Sequence, residues 1–163
     1  MVAGCRGKRG DANYGDDLYV TVVDDVDQLT EQYQLGLEEF MKGNPEPVKE
    51  LFSHREDVTL ANPLGPPARG WDQVAATIER ASSYMRDGED LHCETVAKYV
   101  TPELAYTVWI ERVKAKVGGR EDITQTALRV TMIFRPEEGV WKVVHRHADP
   151  ITTAQPAESV IQE

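Results

Sequence analysis

The feature that most constrains this chain is its second half. Four long segments rich in β-branched and aromatic residues, 91–100, 104–117, 123–135 and 140–148, follow one another with almost no chain between them. The separators are Thr101-Pro102, Gly118-Gly119 and Glu138-Gly139. Connections this short join neighbouring antiparallel strands, because a parallel pair needs a crossover of a dozen or more residues. The spacing therefore predicts an antiparallel meander.

The first half has a different period. Leu29, Tyr33, Leu37, Phe40 and Met41 recur at helical spacing behind an Asp25/Gln28 capping pattern, and Gly43-Asn44-Pro45 stops the run. Asn44 can cap a second, short helix with Pro45 in its first turn and Val48, Leu51 and Phe52 on one face. Val58 and Leu60 alternate in a brief strand that ends at Asn62-Pro63-Leu64-Gly65-Pro66-Pro67, a segment that continues neither helix nor sheet. A third helix carries Val74, Ile78, Ala81 and Met85, and Asp87-Gly88 ends it. Helices first and strands after is the α+β arrangement, with the helices packed on one face of the sheet. Residues 1–24, rich in Gly, Asp and basic side chains without periodicity, read as a flexible arm; 25–150 form the domain and 151–163 a mobile tail.

Composition narrows the function classes. A chain of 163 residues with 40% hydrophobic content can bury a core without metals or disulfides. Its 28 acidic and 18 basic residues leave a formal charge of −10, the wrong sign for neutralising phosphates or anionic lipid, so neither nucleic acid nor membrane is an expected partner. With no apolar run of spanning length and no hydrophobic stretch in MVAGCRGKRG, the expected location is cytoplasmic. Two cysteines, Cys5 and Cys93, exclude a disulfide framework or a thiolate metal site. There is no phosphate-binding Gly loop, nucleophile elbow or zincin helix, and no cofactor is expected.

Thr59-Leu60-Ala61-Asn62-Pro63-Leu64-Gly65-Pro66-Pro67-Ala68-Arg69-Gly70, followed by a helix, is similar to the strand, Pro-Gly loop and helix that open the pocket of ketosteroid isomerases. Leu128-Arg129-Val130-Thr131-Met132-Ile133-Phe134-Arg135, with Gly139-Val140-Trp141-Lys142-Val143-Val144-His145-Arg146-His147-Ala148-Asp149, resembles the last hairpin of SnoaL-like proteins. In this order the motifs resemble the SnoaL-like, ketosteroid-isomerase-like family of the nuclear-transport-factor-two-like superfamily. The resemblance implies a cone in which N-terminal helices pack on a strongly curved antiparallel sheet. One sheet face would line a covered cavity and the other would meet a second subunit. Such scaffolds host isomerases, dehydratases, hydrolases, cyclases and binding modules, so fold does not set the chemistry. Steroid isomerases use an Asp of the Pro-Gly loop as base, and a carboxylic acid and a helix-one Tyr as oxyanion donors. The matching positions here are Asn62, Ala127 and Gly36, none of which supplies the group, so isomerisation of that Asp-dependent type is not expected.

A turn at Glu137-Glu138-Gly139 with a left-handed Gly139 sets Arg135 opposite Trp141, Thr131 opposite His145 and Arg129 opposite His147. A symmetric loop over 118–122 sets Glu111 opposite Arg129 and Trp109 opposite Thr131. On these registers one face carries Glu111, Arg129 and His147, with Trp109, Thr131 and His145 beside them. The plain reading of that face is a solvated surface with a cross-strand ion pair. With the resemblance it becomes a pocket: Glu111 orients Arg129, Arg129 anchors a carboxylate or enolate, and His147 or His145 moves protons near neutral pH. Asn62, Trp71 and Tyr84 join Trp109 and Thr131 as pocket residues, with turn-shaping before Pro63 as the other role open to Asn62. His145 and His147, with Glu111 or Asp149, also form a metal-donor pattern, but a third ligand is only inferred and no metal is expected.

Two functions follow from this reading. One is a small-molecule pocket protein acting as a cofactor-free isomerase, dehydratase, cyclase or hydrolase on a partly apolar carbonyl or carboxylate compound. The other is a non-catalytic ligand-binding or dimeric assembly module. Val108, Ile110, Leu128, Val130, Met132 and Phe134 on the opposite face would expose a large apolar patch, which predicts a homodimer through the sheet.

Overall fold

The computed structural model describes residues 14–161. Its elements are α1 (Tyr14–Phe40), α2 (Glu46–Lys49), β1 (Thr59–Ala61), β2 (Ala68–Arg69), α3 (Trp71–Ser82), β3 (Met85–Val100), β4 (Ala105–Val117), β5 (Thr124–Glu137) and β6 (Val140–Asp149). The strands form one sheet in the order β2-β1-β6-β5-β4-β3. Strands β3 to β6 are the expected antiparallel meander, while β1 adds to β6 in parallel and β2 returns beside it. The fold is α+β, with helices on one face of a curved, unclosed sheet.

Helix α1 begins eleven positions earlier than the Asp25 capping pattern suggested, at Tyr14 instead of within a loose arm. Val22 and Val26 extend the stripe of Leu29, Tyr33 and Leu37 at helical spacing, and all five are buried. Burial of that face against the sheet carries the helix through the Asp25 signal, since tertiary packing supplies most helix stability. Residues 1–13 of the expected arm, with Cys5, lie outside the described residues. Met85, expected on the third helix, instead opens β3. In the tail, residues 157–160 form a single 3-10 turn with nothing buried.

Curvature comes from irregular pairing. The β3–β4 ladder slips at three places, and Asp87 and Asp90 on β3 both adopt left-handed φ of 54°. Each bulge adds local twist and turns the strand around the helices. At Gly88 the strand passes so close to the end of α1 that a Cβ would stand 2.4 Å from that of Met41, and its N–H donates to the Met41 carbonyl at 3.1 Å. Only glycine admits that approach.

The sheet's concave face carries the core. Ala105, Trp109 and Val113 of β4, Val130, Met132 and Phe134 of β5, and Trp141, Val143 and Ala148 of β6 are buried against the α1 stripe and α3 residues Val74 and Ile78. Full burial of each large apolar side chain contributes roughly 1.5–3 kcal/mol. Among the described residues no helix is long and apolar enough to cross a membrane.

Two local features set which residues face inward. At the β5–β6 turn only Glu138 and Gly139 are unpaired, both with left-handed φ (53° and 83°), so Glu137 pairs with Val140. Val144 then falls at a bulge between the pairs Phe134–Val143 and Ile133–His145, which flips every later β6 residue to the other face. At the other turn, Thr124 rather than Ile123 is the first β5 residue paired, against Ala115. That is a one-residue slip from the symmetric loop.

Candidate functional site

Inside the cone, Glu111 of β4 and Arg146 of β6 form an ion pair at 2.7 Å between Oε2 and a terminal guanidinium nitrogen, their side chains only 2% and 9% exposed. Trp109 donates its indole N–H to the other Glu111 oxygen at 2.9 Å. Both carboxylate oxygens are therefore occupied by donors, the arrangement a buried carboxylate needs. Burial works against the Arg146 charge, but Glu111 and then the neighbouring Tyr33 oxygen outweigh it and hold the guanidinium more firmly protonated than usual. Burial pushes the Tyr33 hydroxyl well up, so it stays neutral beside Arg146. Cys93, paired with Glu111 across β3 and β4, has its thiol pushed up to about 12 by burial first and the Glu111 charge second.

Tyr33 and Arg146 form the polar end of a cavity of about 180 Å³. Its walls are apolar: Leu37 from α1, Phe52 after α2, Leu60 from β1, Ile78 from α3 and Leu128 from β5, with Asn62, Pro63 and Leu64 at the exposed edge. Arg146 Nε is buried and has no hydrogen-bond partner among the described residues. A buried N–H left unpaired costs about 1–3 kcal/mol, more when the group is charged. The Tyr33 oxygen stands beside the same guanidinium, and both side chains line the cavity.

The expected trio does not assemble. Glu111 lies inside, but the β4–β5 slip pairs it with Leu128 and sets Arg129 opposite Ile110 on the convex face. There Arg129 grips Asp149 with two hydrogen bonds, at 3.2 and 2.8 Å, and its side chain is 50% exposed. His147 is 53% exposed, its Nε2 3.9 Å from Asp149, and Thr131 pairs with it on the same outer face. His145 also lies outside, its Nδ1 2.8 Å from the Thr59 hydroxyl. The slip and the Val144 bulge are the reasons: each moves an entire side-chain set to the other face. Among the described residues no cluster of three His, Cys, Asp or Glu could hold a metal ion.

The pocket residues divide. Asn62 lines the cavity, though its side-chain oxygen accepts from the Leu64 N–H at 2.9 Å and so also shapes the turn. Trp109 is fully buried in the core and touches the site through Glu111. Trp71 stacks on His54 with ring centroids 3.8 Å apart, away from the cavity lining, and Tyr84 is 43% exposed. Ala127, aligned with the oxyanion acid of steroid isomerases, pairs with Arg112 on the outer face, while Gly36 packs on Pro47 and Val48. The helix-one tyrosine that does line the cavity is Tyr33.

Arg146 is the residue that strand alternation misses. Counting by twos from buried Trp141 and Val143 points His145 and His147 inward, and only the bulge reverses this. Buried Ala148, between two polar residues, was the one available sign that the phase changes after Val144.

The comparisons agree with this architecture. A model of the SnoaL-like domain matches residues 29–152. Among solved structures, a protein from Streptomyces avermitilis described as a candidate dehydratase of the NTF2-like family is 19% identical, with 82% of this chain and 99% of that one covered and a TM-score of 0.68. An NTF2-like superfamily protein from Salmonella enterica serovar Typhimurium matches at 17% identity, 85% and 97% coverage and TM-score 0.68. A ketosteroid isomerase-like protein from Erwinia carotovora atroseptica matches at 14% identity, 80% and 96% coverage and TM-score 0.66. At these identities the likeness is one of fold. No curated protein matches significantly. With the family model spanning most of the chain and the cone in place, the protein belongs to the SnoaL-like domain family.

Proposed function

We propose that this protein binds a small, largely apolar molecule inside the cone, with Arg146 as its polar anchor. The observation that carries the reading is a largely apolar cavity of about 180 Å³ that the Arg146 and Tyr33 side chains line together. Pockets of this kind take their affinity from the apolar wall and their orientation from a few placed polar groups. The family match supports a ligand-binding or isomerase/dehydratase type of protein.

Binding fits better than acid–base turnover. Among the described residues lining the cavity there is no Asp, Glu, His, Lys or Cys to act as a general base. Glu111 is locked between two donors. One observation favours a catalytic reading nonetheless: the Tyr33 hydroxyl and Arg146 stand together at the polar end, where they could polarise a ligand oxygen. That arrangement would suit a cofactor-free isomerase or dehydratase, and the Streptomyces avermitilis protein is described as a candidate dehydratase.

The test is NMR titration with a library of single-ring compounds. Binders should shift the Arg146 Nε–H resonance and the methyls of Leu60, Ile78 and Leu128, and Ile78→Trp, which fills the cavity, should abolish the effect. Shifts confined to Arg129 and His147 on the convex face would overturn the reading.

A homodimer through the convex face belongs to the same proposal, with a changed residue set. Leu128, Val130, Met132 and Phe134 turn inward, which leaves Val108, Ile110, Ile133 and the stacked pair Tyr99–Tyr106 (ring centroids 5.8 Å apart) on the outside. Charges of both signs flank this strip, Glu94 with Arg112 and Arg129 with Asp149, so it can face a second copy of itself without net repulsion.

A further inference from the structure

We infer that the cavity selects a neutral molecule of about one ring, carrying a single hydrogen-bond acceptor such as a ketone, ester or amide carbonyl, and rejects carboxylates of the same size. The inference rests on the proposed pocket and adds the charge and size of its occupant.

A lone arginine at the end of an apolar cavity would point to an anion. Here the guanidinium charge is already spent on Glu111 at 2.7 Å, inside the protein. The other titratable groups of the cluster are Tyr33 from α1 and Cys93 from β3, and burial keeps both protonated and uncharged. No other ionisable side chain lines the cavity among the described residues. The cluster therefore sums to zero. A ligand carboxylate would bring one uncompensated negative charge close to Glu111 in a medium that cannot solvate it, whereas a neutral carbonyl leaves the sum unchanged. Oxygen remains favoured over a purely apolar group, because the Tyr33 hydroxyl and the Arg146 guanidinium line the cavity as hydrogen-bond donors.

Size follows from the volume. A cavity of about 180 Å³ is slightly larger than the roughly 150 Å³ that suffices for benzene. A single ring with a short substituent fits; a four-ring steroid does not fit within the walls.

The experiment measures dissociation constants of acetophenone, ethylbenzene and benzoate by NMR titration, with the Arg146 Nε–H as reporter, in the unmodified protein and in Glu111→Gln. Three probes of nearly equal shape isolate the acceptor and the charge. Acetophenone should bind at least about tenfold more tightly than ethylbenzene, the worth of one charge-assisted hydrogen bond, and benzoate should bind at least tenfold more weakly than acetophenone. Glu111→Gln removes the compensating charge while keeping one acceptor oxygen for Arg146, and benzoate should then overtake acetophenone. Benzoate binding the unmodified protein as well as acetophenone would overturn the charge selection and leave the pocket standing. Equal binding of acetophenone and ethylbenzene would overturn the role of Tyr33 and Arg146 as donors to the ligand. If none of the three perturbs the cavity residues, the pocket itself falls and the inference with it. Should Glu111→Gln fail to fold, the three constants for the unmodified protein still decide between these outcomes.

Discussion

Glu111 and Arg146 are 35 residues apart in sequence and meet at 2.7 Å inside the cone, the acid on β4 and the base on β6 with β5 between them. Removing either partner strands the other's charge in the core. Glu111→Ala or Arg146→Ala should each cost about 3–5 kcal/mol. Arg129→Ala, which breaks an exposed pair, should cost less than about 1 kcal/mol. Urea unfolding of the three variants separates the two classes, and equal losses would contradict the burial of the pair.

His145 should make the fold acid-sensitive. Burial first, and the neighbouring His147 second, hold its imidazole below the ordinary 6.5. The unfolded chain thus binds the proton more readily, so the contribution is complete above about pH 6.5 and declines as pH falls towards the folded-state value. Between pH 7 and pH 5 the melting temperature of the unmodified protein should fall more steeply than that of His145→Asn. Parallel curves would show that this histidine is not the source.

Cys93 should be a poor nucleophile. With its thiol pushed up to about 12, almost no thiolate exists at pH 8. In a Cys5→Ser background, native Cys93 should react with a disulfide reagent at least roughly tenfold more slowly than after denaturation in urea. Fast native labelling would mean that β3 opens readily beside Glu111.

The convex strip should hold two copies together. Light scattering at micromolar concentration should report a dimer, and Ile110→Glu, which places a charge in the middle of the strip, should yield a monomer of unchanged secondary structure. A monomeric unmodified protein would overturn the proposed interface.

Much of the architecture could be read from local pattern. The separators Thr101-Pro102, Gly118-Gly119 and Glu138-Gly139 are where the meander turns, and the stripe Leu29, Tyr33 and Leu37 is the buried face of α1. These features depend on neighbours a few residues away, and turn residues and hydrophobic period report them directly. Which face each strand shows to the helices is a different kind of fact. It depended on whether β5 starts its ladder at Thr124 or one residue earlier, and on a single extra residue at Val144. Neither leaves more than a faint local mark, because a bulge forms where packing of both flanking stretches demands it, and period two turns one residue into a complete exchange of faces. Hence sequence alone located Glu111 and Asn62 as residues to watch, and only the packed sheet gave Glu111 to Arg146 and returned Arg129 and the two histidines to the outside.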